Sequence, residues 1–276
     1  MQEALMHQPF LAAMARLLRR SQPRHDLYTV FGDCMETIAI SLSNSVDLGQ
    51  REAREACYLE IVSHYQSDIV NLFPEILAQL VLALETEPGD VLGTLFHDLE
   101  FHDKGRGQFF TPYTISQFMA QLTLGDPDSV KAIIAKHGFV TAMEPACGAG
   151  SMIIALAEAM REAGFNDQQH LHVTAIDIDS RAIHMAYSQL SLLHIPAHLL
   201  VGNSLSGEIR EHWYTPAHIL GGWNARLTRR HRCSPGDVMQ APPFVAVSST
   251  PRERPAAQPG EVPDPIIAKP RQLSLF

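Results

Sequence analysis

Cysteine and tryptophan are scarce in this chain of 276 residues, which contains four cysteines and two tryptophans. The cysteines are scattered, with neither metal-ligand spacing nor a disulfide pattern: Cys34, Cys57, Cys147 and Cys233. Fourteen histidines are present, but His97 and His102 lack both i,i+4 spacing and a cysteine partner. We therefore predict no metal site.

Long apolar runs are also missing, because no run approaches the length of a membrane-spanning helix. The apolar stretch 10–18 follows Glu3 and precedes Arg19 and Arg20, which is the wrong polarity for a signal peptide. We therefore predict a cytoplasmic protein without a membrane contact. Hydrophobic residues make up 46% of the chain, which is enough to form a substantial core.

Basic residues are outnumbered, and the net charge of −9 is unusual for a protein that binds a polyanion alone. From residue 221 onward, eight Lys and Arg stand against four Asp and Glu, a balance of +4 that leaves −13 for residues 1–220. Contacts to phosphate groups should therefore concentrate in one short run: Arg226, Arg229, Arg230 and Arg232. The same run equally fits a basic segment that only keeps a tail in solution.

Helical periodicity dominates the first hundred residues. Apolar positions recur with this period over four stretches, 5–18, 30–40, 56–65 and 69–84. Asp90 is placed to cap a further short helix that reaches about residue 100. Thr111, followed by Pro112, is placed to cap the next helix, which runs to about Leu124. We predict a helical N-terminal region over residues 1–103.

The stretch Glu144-Pro145-Ala146-Cys147-Gly148-Ala149-Gly150 has a predicted strand, 139–143, before it and a predicted helix after it. Ser151 is a candidate N-cap for this helix, and Gly164 stands at its end. Gly148 and Gly150 would let the backbone approach a ligand closely at the start of a helix. A glycine turn alone equally fits an ordinary loop between a strand and a helix.

Two further strands are predicted downstream, and each ends in a polar residue. The strand 172–176 leads into Asp177, and the strand 198–201 leads into Asn203. A helix is predicted between them, over 181–193. In open α/β sheets ligands bind at the carboxyl ends of the strands, so these side chains mark a candidate binding edge.

These residues together resemble the N6-adenine DNA methyltransferases, most closely the modification subunits of type I restriction-modification systems. The stretch 144–150 resembles their motif for S-adenosylmethionine (SAM), and the stretch Gly107-Gln108-Phe109-Phe110-Thr111-Pro112 resembles their upstream motif. Asp177 matches the ribose-binding acid, and Asn203 matches the residue beside the cofactor adenine. The resemblance covers roughly residues 100 to 205 and implies SAM as cofactor. The implied cofactor-binding residues are Phe110, Thr111, Pro112, Glu144, Pro145, Ala146, Cys147, Gly148, Gly150, Asp177 and Asn203.

The fold class implied by the resemblance is α/β, with the Rossmann-like sheet of class I SAM-dependent methyltransferases, here incomplete and preceded by the helical region. We assign residues 104–240 to this SAM-binding domain. The function implied is transfer of a methyl group from SAM to adenine N6 in DNA, with sequence recognition left to a separate specificity subunit. An amide of a protein or an RNA would be another acceptor for the same cofactor motifs.

The target-side motif of the family, Asn-Pro-Pro followed by Tyr or Phe, is not intact in this chain. At the expected distance the sequence reads Ala217-His218-Ile219-Leu220-Gly221-Gly222-Trp223-Asn224, where a short strand is predicted. Trp223 and Asn224 are the candidates for the target side, and the Pro242-Pro243-Phe244 run is a later near-match. The altered motif leaves open a non-catalytic module that binds SAM and acts through partners.

The last segment, 241–276, is rich in proline, with six prolines between residues 245 and 271, and is predicted to be a disordered tail. It ends in Gln272-Leu273-Ser274-Leu275-Phe276, which resembles the pentapeptide that binds the bacterial sliding clamp. Apolar side chains at the tip of such a tail have no core to enter, so a partner pocket is their expected destination. An apolar tail without a partner, or one that folds back, is the alternative.

Overall fold

The computed structural model describes residues 2–99, 101 and 111–233. The helices before the first strand are α1 (Gln2–Arg19), α2 (Leu27–Asn44), α3 (Arg51–Ser63), α4 (Ser67–Val70), α5 (Leu72–Thr86), α6 (Val91–Asp98), α7 (Tyr113–Leu124) and α8 (Pro127–His137). The remaining elements are β1 (Val140–Glu144), α9 (Ser151–Glu162), α10 (Asp167–His170), β2 (Leu171–Asp177), α11 (Ser180–Leu192), β3 (Ala197–Asn203), β4 (Glu208–Tyr214), α12 (Pro216–Leu220) and α13 (Trp223–Cys233).

The N-terminal region is helical, as the periodicity predicted. Its apolar faces meet in one core, in which Met14, Phe31 and Ile76 are completely buried. The predicted cap at Asp90 is confirmed, since its carboxylate accepts a hydrogen bond from the backbone N–H of Gly93 at 2.8 Å. This core reaches Met185 of α11, so the helical region packs directly against the α/β part of the chain.

One stretch in this region contradicts the expectation about apolar runs. Residues 67–86 are long and apolar enough to cross a membrane by length and composition alone. The stretch divides into α4 and α5, and 39% of its most apolar window is buried inside the protein. Leu72, Ile76 and Leu80 of α5 point into the helical core.

The sheet has four strands in the order β1-β2-β3-β4 among the described residues. β1, β2 and β3 run parallel, and β4 pairs antiparallel with β3 at the edge. The three predicted strands and the α/β sheet are therefore confirmed. β4 was not predicted, because Glu208-Ile209-Arg210-Glu211-His212-Trp213-Tyr214 reads as largely polar and only Ile209 and Trp213 are buried.

Three local predictions are wrong, and capping explains each. Gly150, at φ +94°, occupies the N-cap of α9, and Ser151 is the first helical residue. Pro112 rather than Thr111 holds the cap position of α7. The segment predicted as a short strand at 217–220 is the helix α12, because Thr215 caps it and Pro216 stands at its first position, where a missing N–H costs nothing.

Candidate cofactor site

The glycine turn after β1 is held against the end of β2 by backbone donors. The N–H of Gly148 donates to Asp177 Oδ2 at 2.9 Å, and the N–H of Asp179 donates to Asp177 Oδ1 at 2.9 Å. The N–H of Cys147 donates to the carbonyl oxygen of Ile176 at 2.9 Å. The ends of two parallel strands thus form one unit, in which the Asp177 carboxylate is the link.

Two glycines of this turn have conformations that side chains disfavour. Gly148 lies at φ +53° and Gly150 at φ +94°. A Cβ atom on Gly150 would lie 3.4 Å from the Cβ of Ala186 in α11, so the turn also packs closely against that helix. Glycine at both positions lets the chain bend sharply into α9, whose first N–H groups have no partner within the helix.

The carboxylates at this edge are partly desolvated. Burial raises the pKa of the Asp177 carboxyl, although the N–H groups of Asp179 and Gly148 oppose the change. Burial also raises the pKa of Glu144, and the charge of Asp177 adds to it. Carboxylates whose pKa is raised by burial at a partly dry edge favour a ligand with positive charge or with hydroxyl donors.

The remaining residues of the predicted turn shape its surface. Pro145 and Ala146 are exposed, and the N–H of Ala146 donates to Glu144 Oε1 at 3.2 Å. Cys147 is buried, and burial raises the pKa of its thiol well above the usual range. A buried thiol with a raised pKa is a packing residue here and not a nucleophile.

Asn203, at the end of β3, uses its side chain to form the next turn. Its Oδ1 accepts hydrogen bonds from the N–H of Leu205 at 2.9 Å and of Ser206 at 3.3 Å. Two apolar side chains near these strand ends are exposed, Ile178 at 64% and Leu205 at 96%. The parallel edge therefore offers both polar acceptors and uncovered apolar surface.

The helix α7 connects the predicted upstream motif with the glycine turn. Thr111 and Pro112 are exposed at its start, and Phe110 lies outside the described residues with the rest of that motif. Ser116 Oγ lies 2.8 Å from Ser151 Oγ, the first residue of α9. The chain at Thr111 and Pro112 is thus anchored, through α7, to the helix that begins at the turn.

Sequence reasoning missed Gln189, which joins three elements in the buried centre. Its Nε2 donates to the carbonyl oxygen of Ala149 at 2.9 Å and to Asp90 Oδ1 at 3.0 Å. Its Oε1 accepts from the N–H of Leu92 at 3.0 Å. No local pattern marks a glutamine on an apolar helix face, because all three partners are remote in sequence.

The candidates for the target side lie elsewhere. Trp223 is only 1% exposed, with its ring centroid 5.1 Å from Phe139 and 5.1 Å from His172. The indole is buried between Phe139, the residue before β1, and His172 near the start of β2. The prediction that it stacks on a base is therefore wrong. Asn224 is exposed, but its Oδ1 lies 3.1 Å from His218 Nε2 in the same region.

The predicted phosphate-binding arginines gather at that amino-terminal end. Arg226, Arg229 and Arg230 line a cavity of about 320 Å³ together with Lys136 and His137. Arg226 lies over the Trp223 ring at 3.7 Å, and Arg230 donates to the carbonyl oxygen of Phe139 at 3.4 Å. Arg232 belongs to α13, but its side chain lies outside the described part of the chain.

Four histidines pack one after another beside the Trp223 ring. His172 Nε2 lies 2.9 Å from His218 Nδ1, and His198 Nε2 lies 3.0 Å from His212 Nδ1. Burial lowers the pKa of His172 and of His198 to about 3, so both are neutral at physiological pH. Among the described residues, no group of three or more His, Cys, Asp or Glu is arranged to hold a metal ion.

A known protein family matches the part of the chain that forms the carboxyl edge of the sheet. Residues 89–219 match the family model described as N-6 DNA Methylase. This segment is thus N6-adenine DNA methyltransferase-like, which confirms the resemblance that the motifs predicted.

A solved structure, the type I restriction-modification system methyltransferase subunit from Streptococcus thermophilus, is also similar, with 16% identity and a TM-score of 0.35. The match covers 71% of this chain and 58% of that subunit, so the chain spans less than two thirds of its length. A comparison with curated proteins gave no match. The pentapeptide 272–276 and the run 242–244 lie outside the described residues, and clamp binding stays a prediction.

Proposed function

We propose that this protein transfers a methyl group from SAM to the N6 amine of adenine in DNA. The observation that carries the proposal is the junction at the carboxyl edge, where Asp177 holds the Gly148 N–H while its carboxylate remains partly exposed. The family match covers this junction completely. SAM supplies an electrophilic methyl group on a positively charged sulfonium.

The residues at this edge fit such a cofactor. Asp177 and Glu144 present carboxylates whose pKa values are raised by burial, and a cationic ligand with ribose hydroxyls relieves that cost. Gly148 is partly exposed and has no side chain that would block a close approach, and Asn203 stands at the end of β3. Thr111 and Pro112 would cover the bound molecule from the start of α7.

A polyanion as the methyl acceptor is supported by the cavity at the other end of the strands. Its described lining contains three arginines, a lysine and a histidine, and no carboxylate, in a chain whose net charge is −9. Arg226 and Arg230 are held in place by the contacts described above, so little conformational freedom is lost when they bind phosphate. Contacts to phosphate position a duplex without reading its sequence, which agrees with a separate specificity subunit as partner.

One observation favours a second candidate, a module that binds SAM and acts only through partners. Phe139, against which Trp223 packs, and Glu144, the last residue of β1, are about 16 Å apart along an extended strand. Trp223 and Asn224 therefore lie far from the cofactor edge, and they cannot orient an amine there. If this second candidate is correct, the protein binds SAM but does not transfer its methyl group unless another polypeptide is present.

The purified protein, SAM with a radiolabelled methyl group, and unmethylated DNA distinguish the two candidates. The proposal predicts label in the DNA, recovered as N6-methyladenine after digestion to nucleosides, and none in DNA already methylated at adenine. Asp177→Ala should strongly reduce the incorporation at a SAM concentration below saturation, whereas Asp128→Ala, on the exposed side of α8, should not change it. SAM binding without transfer supports the second candidate, and label in RNA or protein instead of DNA contradicts DNA adenine as the acceptor.

A further inference from the structure

The helix α7 packs with its small residues inward and its large apolar residues outward. Ser116 and Ala120 are completely buried, and Ala120 forms a small cluster with Ala155 and Ala159 of α9. The opposite face carries large side chains that are 46% to 66% exposed: Ile115, Phe118, Met119 and Leu122. A surface helix normally shows the reverse arrangement, with its large apolar side chains in the core.

These four residues, called the α7 stripe below, have the spacing of an interface seam. They stand at positions i, i+3, i+4 and i+7, which form one continuous row on a helix. With about 200 Å² for each full side chain, their exposed fractions leave roughly 400 Å² of apolar surface in contact with water. An exposed apolar patch of that size on a monomer often marks an interaction site.

We propose that the α7 stripe binds the same stripe of a second copy of this chain, in antiparallel orientation. The pattern is self-complementary about the point between Phe118 and Met119. Across such a two-fold axis, Ile115 of one copy lies opposite Leu122 of the other, and the Phe118 and Met119 pairs meet at the centre. One set of side chains therefore supplies both halves of the contact.

The charges of the chain agree with this partner. α7 reads Tyr-Thr-Ile-Ser-Gln-Phe-Met-Ala-Gln-Leu-Thr-Leu and contains no ionisable group except the Tyr113 phenol. The helix itself therefore brings no like charges into the seam, whereas Glu158 and Glu162 of α9 lie beside Phe118 and each chain carries a net charge of −9. These acids and the net charge of the two copies repel each other, so added salt should strengthen the association by screening the repulsion.

The size of the stripe predicts a weak and reversible dimer. Two stripes bury roughly 800 Å² together, which is below the ~1,200 Å² typical of stable complexes. We expect association in the micromolar range or weaker. Because the inner face of α7 lies on α9, pairing would join the glycine turns of two copies in one particle, yet the pairing itself requires no cofactor and is independent of the proposed function.

Sedimentation velocity over a wide range of concentrations tests the pairing on the full-length protein. The wild type should shift from monomer to dimer with rising concentration, more so in high salt. Phe118→Glu and Leu122→Glu should each raise the dissociation constant at least about tenfold. Leu205→Glu is the matched control, because Leu205 is 96% exposed in the turn before β4 and should leave the equilibrium unchanged.

The replaced side chains are exposed, so the variants should keep the thermal midpoint of the wild type, which a melting curve confirms. A wild type that remains monomeric at every concentration and salt overturns the proposal. So does a dimer that both stripe variants leave intact, because another surface then holds it.

Cysteine cross-linking tests the antiparallel orientation separately. An Ile115→Cys protein mixed with a Leu122→Cys protein should form a disulfide-linked heterodimer under mild oxidation. Either variant alone should cross-link much less, and the wild type supplies the background from its native cysteines. Efficient cross-linking of Ile115→Cys with itself would show a parallel pair and contradict the antiparallel orientation. No cross-link above the background would also overturn the proposal.

Discussion

The two ends of the same three parallel strands differ in almost every property. The carboxyl end carries Glu144, Asp177 and Asn203, with a glycine turn between the first two. The amino end carries the basic cavity and the buried indole of Trp223. One end is acidic and polar at its surface, whereas the other is positively charged around an aromatic centre.

The difference teaches which functional features are local in sequence. At the carboxyl end, a motif of seven consecutive residues contains the whole turn. At the amino end, the cavity joins the C-terminus of α8 to α13, which lies about ninety residues further along the chain. The following predictions test whether the carboxyl end binds the cofactor and the amino end provides structure and charge.

Replacing the buried indole should have the largest effect. Trp223→Ala removes a ring that is 1% exposed and packs against Phe139, His172 and the Arg226 guanidinium. We expect the free energy of unfolding in urea to fall by about 3–5 kcal/mol. SAM affinity of the folded protein should not change. Leu205→Ala, at a fully open position, is the control and should unfold like the wild type. An unaltered free energy for Trp223→Ala would contradict a structural role.

Replacing Asp177, which joins the two strand ends at the carboxyl edge, should have the second largest effect. Asp177→Ala deletes the acceptor for the N–H groups of Gly148 and Asp179 and the expected acceptor for ribose hydroxyls. SAM binding should weaken by about 1.5–3 kcal/mol, measured by calorimetry. Asp128→Ala serves as the matched control. Equal affinity in the two variants would place the cofactor somewhere else.

Acid should destabilise the amino end through its buried histidines. Burial lowers the pKa of His172 to about 3, whereas the unfolded chain has its ordinary value of about 6.5. Between these values the unfolded state binds more protons, so stability is complete above about pH 6.5 and is lost as the pH falls toward 3.

His172→Gln should therefore flatten the dependence of the unfolding free energy on pH by about 1.4 kcal/mol per pH unit in the middle of this window. The raised pKa values of Asp90 and Asp177 act in the opposite sense, so the comparison is between the variant and the wild type. His64→Gln, at an exposed position, is a suitable control. Identical slopes for His172→Gln and the wild type would show that the pKa of His172 is the same in the folded and unfolded states, and would contradict the lowered pKa.

The smallest effect concerns the basic cavity. Arg229→Gln should weaken DNA binding to a similar degree for every sequence and reduce the salt slope of the logarithm of the binding constant by about 1. Arg51→Gln, an exposed arginine of α3, should have no effect on the slope. Filter binding at several salt concentrations measures both. A change that depended on the DNA sequence would indicate base contacts instead of phosphate contacts.

Sequence reasoning predicted the carboxyl edge well and the amino end poorly. The three strands, α9, α11 and the acids at the strand ends follow from local periodicity and one motif. The burial of Trp223 could not be predicted in this way. A single tryptophan after two glycines belongs to no periodic apolar pattern, and its neighbours Phe139 and His172 are remote in the chain. β4 was missed for a related reason: an edge strand of polar residues carries little hydrophobic alternation.

The start of a helix was predicted wrongly where either of two neighbouring residues could serve as its N-cap. In the pairs Thr111-Pro112 and Thr215-Pro216, the sequence is the same but only the second uses its threonine as the cap. Gln189 shows most clearly what sequence reasoning cannot predict. Its role depends on hydrogen bonds to Asp90, Leu92 and Ala149, which are close only in the folded structure. The domain boundaries at 103 and 240 stay predictions.

A calorimetric titration of SAM into the wild type and into Gly148→Val tests the central claim most directly. The wild type should release or absorb heat with one SAM per chain. Gly148→Val should give no heat at millimolar SAM, because a β-branched residue at φ +53° displaces the turn that Asp177 holds. Gly164→Val is the matched control, at φ +85° but remote from the strand ends, and it should bind SAM normally. No heat from the wild type, or equal affinity in Gly148→Val, would contradict a SAM site at this edge.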